Sequence, residues 1–297
     1  MLSIIICSKQ KKISETLEQN IHTTIGVEHE IISIDNSKGL FSIFSAYNEG
    51  YRRSNYENLC FVHEDVYFHT QNWGQKLVNY LSNKQTGIVG LAGGRLIPRI
   101  PSSWSAHDKS INIIQSDKEG KERIKHFLPN NYNENLREVL LLDGVLLAMR
   151  RELFQHIQFD ESLGGFHAYD LDISIQSVHK GFKNYVAYDF ELEHFSKGYR
   201  DKKYFENQIS VFKKWQSILP INLTELSNDE IKEFEIKRLK QLFHKMIVRR
   251  FTLKEIKSNL SYFSSQLNTT NEFKYNTLTK FHIFMVRLIR CPDFLFK

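Results

Sequence analysis

The feature that most constrains this chain is a rhythm of short, β-branched apolar runs separated by segments of helical character. Residues 2–7, 30–34, Asn58–Val62 and 87–92 are compact apolar runs. A run apolar at both odd and even positions suits a strand buried on both faces, the usual state of a parallel sheet under helices. Residues 12–23, 41–53 and 73–82 lie between these runs and read as helices. The resulting β-α-β-α-β-α-β order predicts an α/β fold with a mostly parallel sheet covered on both sides.

Residues 93–136 break the rhythm. They hold three of the five prolines and little periodicity, which predicts a long loop region with short elements. Residues 138–149 then read as an apolar strand interrupted by Asp143-Gly144, and residues 151–156 begin a helix. In Tyr169–His179, Leu171, Ile175 and Val178 fall at helical spacing, and Gly181 supplies a stop. Residues 185–193 form a last strand. After Pro220 the character changes, and residues 226–250, Leu253–Gln266 and 279–290 read as amphipathic helices. This divides the chain into an α/β domain at 1–220 and a basic helical region at 221–297.

Charge follows the same division. The net charge is +6, and residues 221–297, with 14 basic and 8 acidic residues, carry all of it. A neutral body argues against a nucleic-acid partner. The basic tail is suited to an anionic surface, and its apolar side to packing on the body or on a second copy as a homodimer. The aromatic stretch at 279–297 is too short and charged to span a bilayer, but it fits peripheral contact with the inner face of a membrane. Cys7, Cys60 and Cys291 are scattered, which supports neither a disulfide framework nor a structural zinc site and leaves a reducing, cytoplasmic setting as the expectation. The short apolar start at residues 2–7 reads as a core strand and not as a signal peptide.

Ligands of open parallel sheets sit beyond the C-terminal strand ends. Five polar clusters occupy such places: Ser8-Lys9, Asp35-Asn36, His63-Glu64-Asp65, Asp143-Gly144 and His194. In His63-Glu64-Asp65 a carboxylate suits a hard divalent cation held against a diphosphate, and the stretch reads equally as a polar loop after a strand. Asp35 reads equally as an Asx-turn residue or as an acceptor for a nucleoside. Asp170 and Asp172 fall in the first helical turn, where carboxylates also complement the dipole. Two residues apart on a helix, they diverge, so at most one faces a reaction centre. A lone His194 is either structural or a ligand.

The ordered set SIIICSK at 3–9, ISIDNSKG at 32–39, SAYNEGYRRS at 45–54 and FVHEDVYF at 61–68 resembles the family-two glycosyltransferases. The likeness continues with GIVGLAGGR at 87–95, LLDGVLLAMRRELF at 141–154, FDESLGGFHAYDLDISIQSVHKGF at 159–182 and LEHFSKG at 192–198. It is strongest for the bacterial branch whose metal motif reads His-x-Asp-Val, and it covers roughly residues 1–220. The resemblance implies a GT-A-like αβα sandwich and an inverting transfer of sugar from a nucleotide diphosphate donor, such as a UDP-sugar, to a glycan or lipid-linked acceptor. It implies Asp170 as catalytic base. Ser8, Asp35, Asn48, Glu64, Asp65 and Arg95 fall on the donor side, and Asp143, Gly144 and Trp104 beside the donor sugar and acceptor. Asp65 and His194 would bind Mn²⁺ or Mg²⁺. Two departures stand out: His63 replaces an Asp that meets ribose, and Tyr169 replaces the Glu of the family's Glu-Asp pair. The second leaves room for an inactive nucleotide- or glycan-binding module on the same fold. A glycosidase would share the two carboxylates without explaining the strand-end nucleoside positions. A nucleotidyltransferase is disfavoured because Ser8-Lys9-Gln10 stands where a glycine-rich phosphate loop would be.

Overall fold

A computed structural model describes residues 1–117, 122–128, 134–196, 198 and 200–267. The elements run β1 Leu2–Ser8, α1 Glu15–Thr24, β2 His29–Asp35, α2 Ile43–Arg53, β3 Asn58–Val62, β4 Val66–Phe68, α3 Trp73–Leu81 and β5 Thr86–Gly90. Then follow β6 Ala92–Gly94, β7 Leu96–Ile97, β8 Lys109–Ser116, β9 Arg123–Leu128, β10 Leu136–Val139, β11 Leu141–Leu142 and β12 Leu146–Arg150. The described chain continues with α4 Arg151–Phe154, α5 Tyr169–His179, β13 Lys183–Ala187, β14 Leu192–His194, α6 Lys202–Lys214, β15 Ile221–Asn222, α7 Asn228–Val248 and α8 Leu253–Gln266.

The central sheet has the order β10-β13-β5-β12-β3-β1-β2. The β1–β2, β1–β3 and β5–β13 pairs are parallel, and β12 runs antiparallel between β3 and β5. Five of the seven strands therefore share one direction, with β12 and β10 reversed. In β1, Leu2, Ile4 and Ile6 enter one apolar cluster and Ile5 the other, on opposite faces of the sheet. That is why its run is apolar without alternation. A second sheet, β11-β6-β8-β14-β4 with β9 on β8, stands beside the first.

Three sequence expectations change. Residues 138–149 are not one strand: β10, β11 and β12 enter two different sheets. Residues 185–193 likewise split into β13 and β14. The region 93–136, expected to be loop, contains the eight-residue β8. Its periodicity is hidden because Ser110, Asn112 and Ser116 are buried polar residues. Asn112 donates to the carbonyls of Ala187 and Phe190 at 3.1 and 2.7 Å, so a buried amide replaces an apolar side chain there. Helix α6 was not foreseen.

Two compact units are present: Met1–Ile97 with Ser102–Glu225, and Pro98–Pro101 with the chain from Leu226 onward. In the second, Ser227 and Thr252 begin α7 and α8 with capping boxes, and buried Glu235 takes the Arg99 guanidinium at 2.7 Å. The helix expected at 279–290 and the aromatic stretch to residue 297 lie outside the described residues. Among the described residues no helix is long and apolar enough to cross a membrane.

Helix α5 separates its two acidic residues as its geometry requires. Asp172 is 1% exposed and accepts from Trp215 Nε1 at 2.7 Å, Gln176 Nε2 at 2.8 Å and Lys214 Nζ at 2.9 Å. It ties α5 to α6. Replacing it with Ala strands these donors, so Asp172→Ala should cost about 3 kcal/mol of unfolding free energy. Urea denaturation checks this, and a loss below about 1 kcal/mol would mean that the network is not fully formed.

Candidate active site

A cleft of about 400 Å³ lies beyond the C-terminal end of β3. Its floor is the turn His63-Glu64-Asp65, between β3 and β4. Each residue of the turn is bonded to a different segment. His63 N–H donates to the Val145 carbonyl at 3.1 Å. The Glu64 carboxylate accepts from Ser8 Oγ at 2.7 Å and from Lys9 N at 3.0 Å. The Asp65 carbonyl accepts from Phe195 N at 2.9 Å. That last bond brings the end of β14 to the turn and His194 into the cleft. Strand alternation sends the preceding Glu193 the other way, where it meets Ser116 Oγ at 2.5 Å and His69 Nε2 at 2.7 Å.

His63, Asp65 and His194 consequently present three ligand atoms within 4.8 Å of one another. His63 Nδ1 is 3.3 Å from His194 Nε2 and 3.8 Å from Asp65 Oδ1, and His194 Nε2 is 3.4 Å from Asp65 Oδ1. One ion can touch all three at that spacing. Two imidazoles and one carboxylate suit a first-row divalent ion such as Mn²⁺ better than Mg²⁺, which favours oxygen. Burial alone would raise the Asp65 carboxyl, but the His194 hydrogen bond and the charges of His63 and His194 outweigh it and hold it at about 2. Burial, then the charge of His194, pushes His63 down to about 4. Both groups are therefore in their ligating, deprotonated forms at neutral pH.

The opposite wall comes from the start of α5 and the β11–β12 turn. Asp143 is engaged on both oxygens, accepting from Trp104 Nε1 at 2.7 Å and from Val145 N at 3.0 Å. Trp104 is thereby pinned at the cleft wall. Ala168 precedes α5 in the left-handed region, with φ 64°, and turns Tyr169 and Asp170 inward. Asp170 lines the cleft, and burial followed by the nearby Asp143 charge raises its carboxyl to about 7.

The structure thus brings Glu64, Asp65, Trp104, Asp143, Gly144, Asp170 and His194 to one cleft, as the sequence reading grouped them. Four expected residues lie elsewhere. Ser8 is fully buried behind Glu64, and Asp35 is exposed and accepts from Ser37 N at 2.9 Å in an Asx-turn. Their neighbours Cys7, Lys9 and Asn36 line the cleft instead, one residue out of step, as strand alternation dictates. Asn48 points away from the cleft, donating to the Phe159 carbonyl at 2.9 Å and to Glu161 at 2.8 Å. On α2 it is Ile43 and Tyr47, four residues apart on one helix face, that reach the cleft. Arg95 is paired with Asp108 at 3.1 Å, a carboxylate shared with Arg137. His63, not expected beside Asp65 and His194, completes the cluster of possible ligands; its spacing two residues before Asp65 was the available signal.

A family model described as a glycosyltransferase-like family matches residues 3–215. The chain belongs to that family. Among solved structures, a 1–349 fragment of S. aureus TarS in complex with UDP-GlcNAc is 13% identical, with a TM-score of 0.53, covering 90% of this chain and 81% of that one. The longer S. aureus TarS structure is 12% identical, with a TM-score of 0.52, covering 89% of this chain. GalNAc-T7, crystallised with UDP, GalNAc and Mn²⁺, is 14% identical, with a TM-score of 0.49 over 89% of this chain. This chain spans 57% of the GalNAc-T7 chain and 49% of the longer TarS chain. No curated protein matches it significantly by sequence. At such identities the TarS likeness is one of fold, the GT-A type of αβα sandwich.

The raised Asp170 carboxyl carries a stability consequence. Its folded value, about 7, lies above the ordinary 3.8, so the unfolded chain ionises first as pH rises. Stability then falls from about pH 4 to about pH 7 and is level above that. Asp170→Asn escapes this penalty, so it should raise the melting temperature more at pH 8 than at pH 5. An equal effect at both pH values would show that Asp170 is not held in its neutral form.

Proposed function

We propose that this cleft transfers a sugar, with inversion, from a nucleotide diphosphate donor, most simply a UDP-sugar, to an acceptor hydroxyl on a glycan or lipid-linked glycan. The observation that carries the reading is the pairing, in one cleft, of a three-residue metal-ligand cluster with a carboxylate whose protonation changes near neutrality. An inverting transfer needs both. One base must take the acceptor proton on the face opposite the leaving group, and the departing diphosphate needs positive charge. Asp170, poised at about 7, is the base. His63, Asp65 and His194 would hold a divalent ion, which supplies Lewis-acid stabilisation of the diphosphate. Lys9 lines the same side of the cleft, where it adds a second positive charge. Trp104, fixed by Asp143, offers an apolar face to a sugar ring, and the exposed Phe166 at the cleft wall offers a second. The UDP-GlcNAc complex of the TarS fragment supports the donor class. An inactive binding module has no comparable support, since the base and the metal-ligand set stand together.

Asp172 is excluded as an alternative base because Lys214 and Trp215 occupy its carboxylate. Asp170→Asn should therefore retain donor binding while turnover falls by about 10²–10⁴-fold. Wild-type turnover should rise with pH through about 7 as Asp170 loses its proton. Asp65→Ala should abolish Mn²⁺-dependent binding of UDP-sugars while the metal-free protein still folds. Calorimetric titration with a panel of nucleotide sugars, with and without Mn²⁺, tests the donor and the metal together. Metal-independent binding of equal strength in Asp65→Ala would remove the ion from the reading.

A further inference from the structure

We propose that Tyr169 is a positioning residue for the metal site: its hydroxyl fixes His63 in the tautomer that turns a ring lone pair toward Asp65 and His194. This rests on the metal reading above and adds to it a residue that touches no ligand itself.

The Tyr169 hydroxyl meets Gly144 and His63, beside the buried Tyr47 side chain. It donates to the Gly144 carbonyl at 3.1 Å, and its oxygen is 2.7 Å from His63 Nε2. A hydroxyl has one proton. With that proton directed at the carbonyl, the oxygen accepts, so His63 Nε2 carries the hydrogen. His63 Nδ1 is then the unprotonated nitrogen, and it faces His194 Nε2 at 3.3 Å and Asp65 at 3.8 Å. The opposite tautomer would put a hydrogen on Nδ1, where a cation has to sit. An imidazole whose far nitrogen donates to a fixed acceptor is oriented and made more basic as a ligand.

The fixed acceptor is built into the fold. Tyr169 is 6% exposed, and its ring meets Tyr47 edge-on at 5.7 Å, Phe44 edge-on at 6.2 Å and Phe159 at 6.1 Å. Gly144 admits the hydroxyl because a Cβ at 144 would stand 2.2 Å from it. That close approach requires glycine at this position, independently of any ligand. The hydroxyl, the glycine and the imidazole form one relay from the β11–β12 turn to the metal-ligand set. The residue after Tyr169 is Asp170, so one turn of α5 positions both the ligand set and the proposed base.

Tyr169→Phe removes the hydroxyl and leaves the ring packing intact. The test is Mn²⁺ binding to the full chain without nucleotide, followed by the loss of the free-ion electron paramagnetic resonance signal. Electron spin echo modulation then counts the imidazole nitrogens on the bound ion at saturation. The wild-type protein should show two. Tyr169→Phe should bind Mn²⁺ about 10–100-fold more weakly, with one of the two nitrogen couplings lost or altered. Its melting temperature without metal serves as the folding control. Gly144→Ala, which displaces the hydroxyl while Tyr169 is retained, should weaken Mn²⁺ binding in the same direction. Undiminished affinity in Tyr169→Phe, or weakened affinity with both couplings unchanged, overturns the proposal. If His63→Ala and Asp65→Ala also bind Mn²⁺ like the wild type, the metal reading itself fails. If they lose the ion and Tyr169→Phe does not, only the role of Tyr169 fails.

Discussion

The turn His63-Glu64-Asp65 is where the molecule is tied together. Strand β3, hydrogen-bonded to β1 on one side and β12 on the other, delivers it to the sheet edge with Leu59–Val62 buried. From there one residue bonds to the end of β1, one to the start of β12 and one to the end of β14. The ends of β1 and β14 and the approach to β12 are thus registered against three residues. The backbone of His63 and Asp65 is fixed by backbone bonds and the Glu64 carboxylate by the Lys9 N–H, which is the rigidity a preorganised site needs.

Within that frame, two carboxylates are driven in opposite directions. Asp65 faces two imidazoles and is held at about 2, whereas Asp170 is buried near Asp143 and rises to about 7. One remains ionised at any physiological pH, and the other exchanges its proton there, the division of labour that the proposed ligand and base require. The difference comes from neighbours, since both are ordinary aspartates in the sequence. Asp143 contributes twice, holding Trp104 through a hydrogen bond and raising Asp170 through its charge.

The β-α rhythm, the helix Tyr169–His179 and the strand-end location of the site could be read from the chain, because burial on two faces and helical spacing leave periodic marks. Single side chains were less legible. Ser8, Asp35 and Asn48 each lie within one residue of a position that does line the cleft. A strand turns its side chain over at every step and a helix turns by about 100°, so an assignment one residue out faces the wrong way. The strands β8 and β14 were blurred for a different reason: their inward polar residues are satisfied by partners far away in sequence, such as Asn112 at the Phe190 carbonyl.

The sequence by itself determined the fold class, the placing of polar clusters after apolar strands, and the candidacy of Asp65, Asp170 and His194. Local periodicity and residue chemistry are enough for the first two, and the family resemblance singles out the three residues. Only the tertiary structure decided that His63 joins Asp65 and His194, two of them 131 residues apart. It also decided that Tyr169 reaches His63 through the space left by Gly144, and that Asp172 belongs to Lys214 and Trp215 instead of the cleft. These are facts of distance and of shared hydrogen bonds, and they exist only once β3, β12, β14 and α5 have converged.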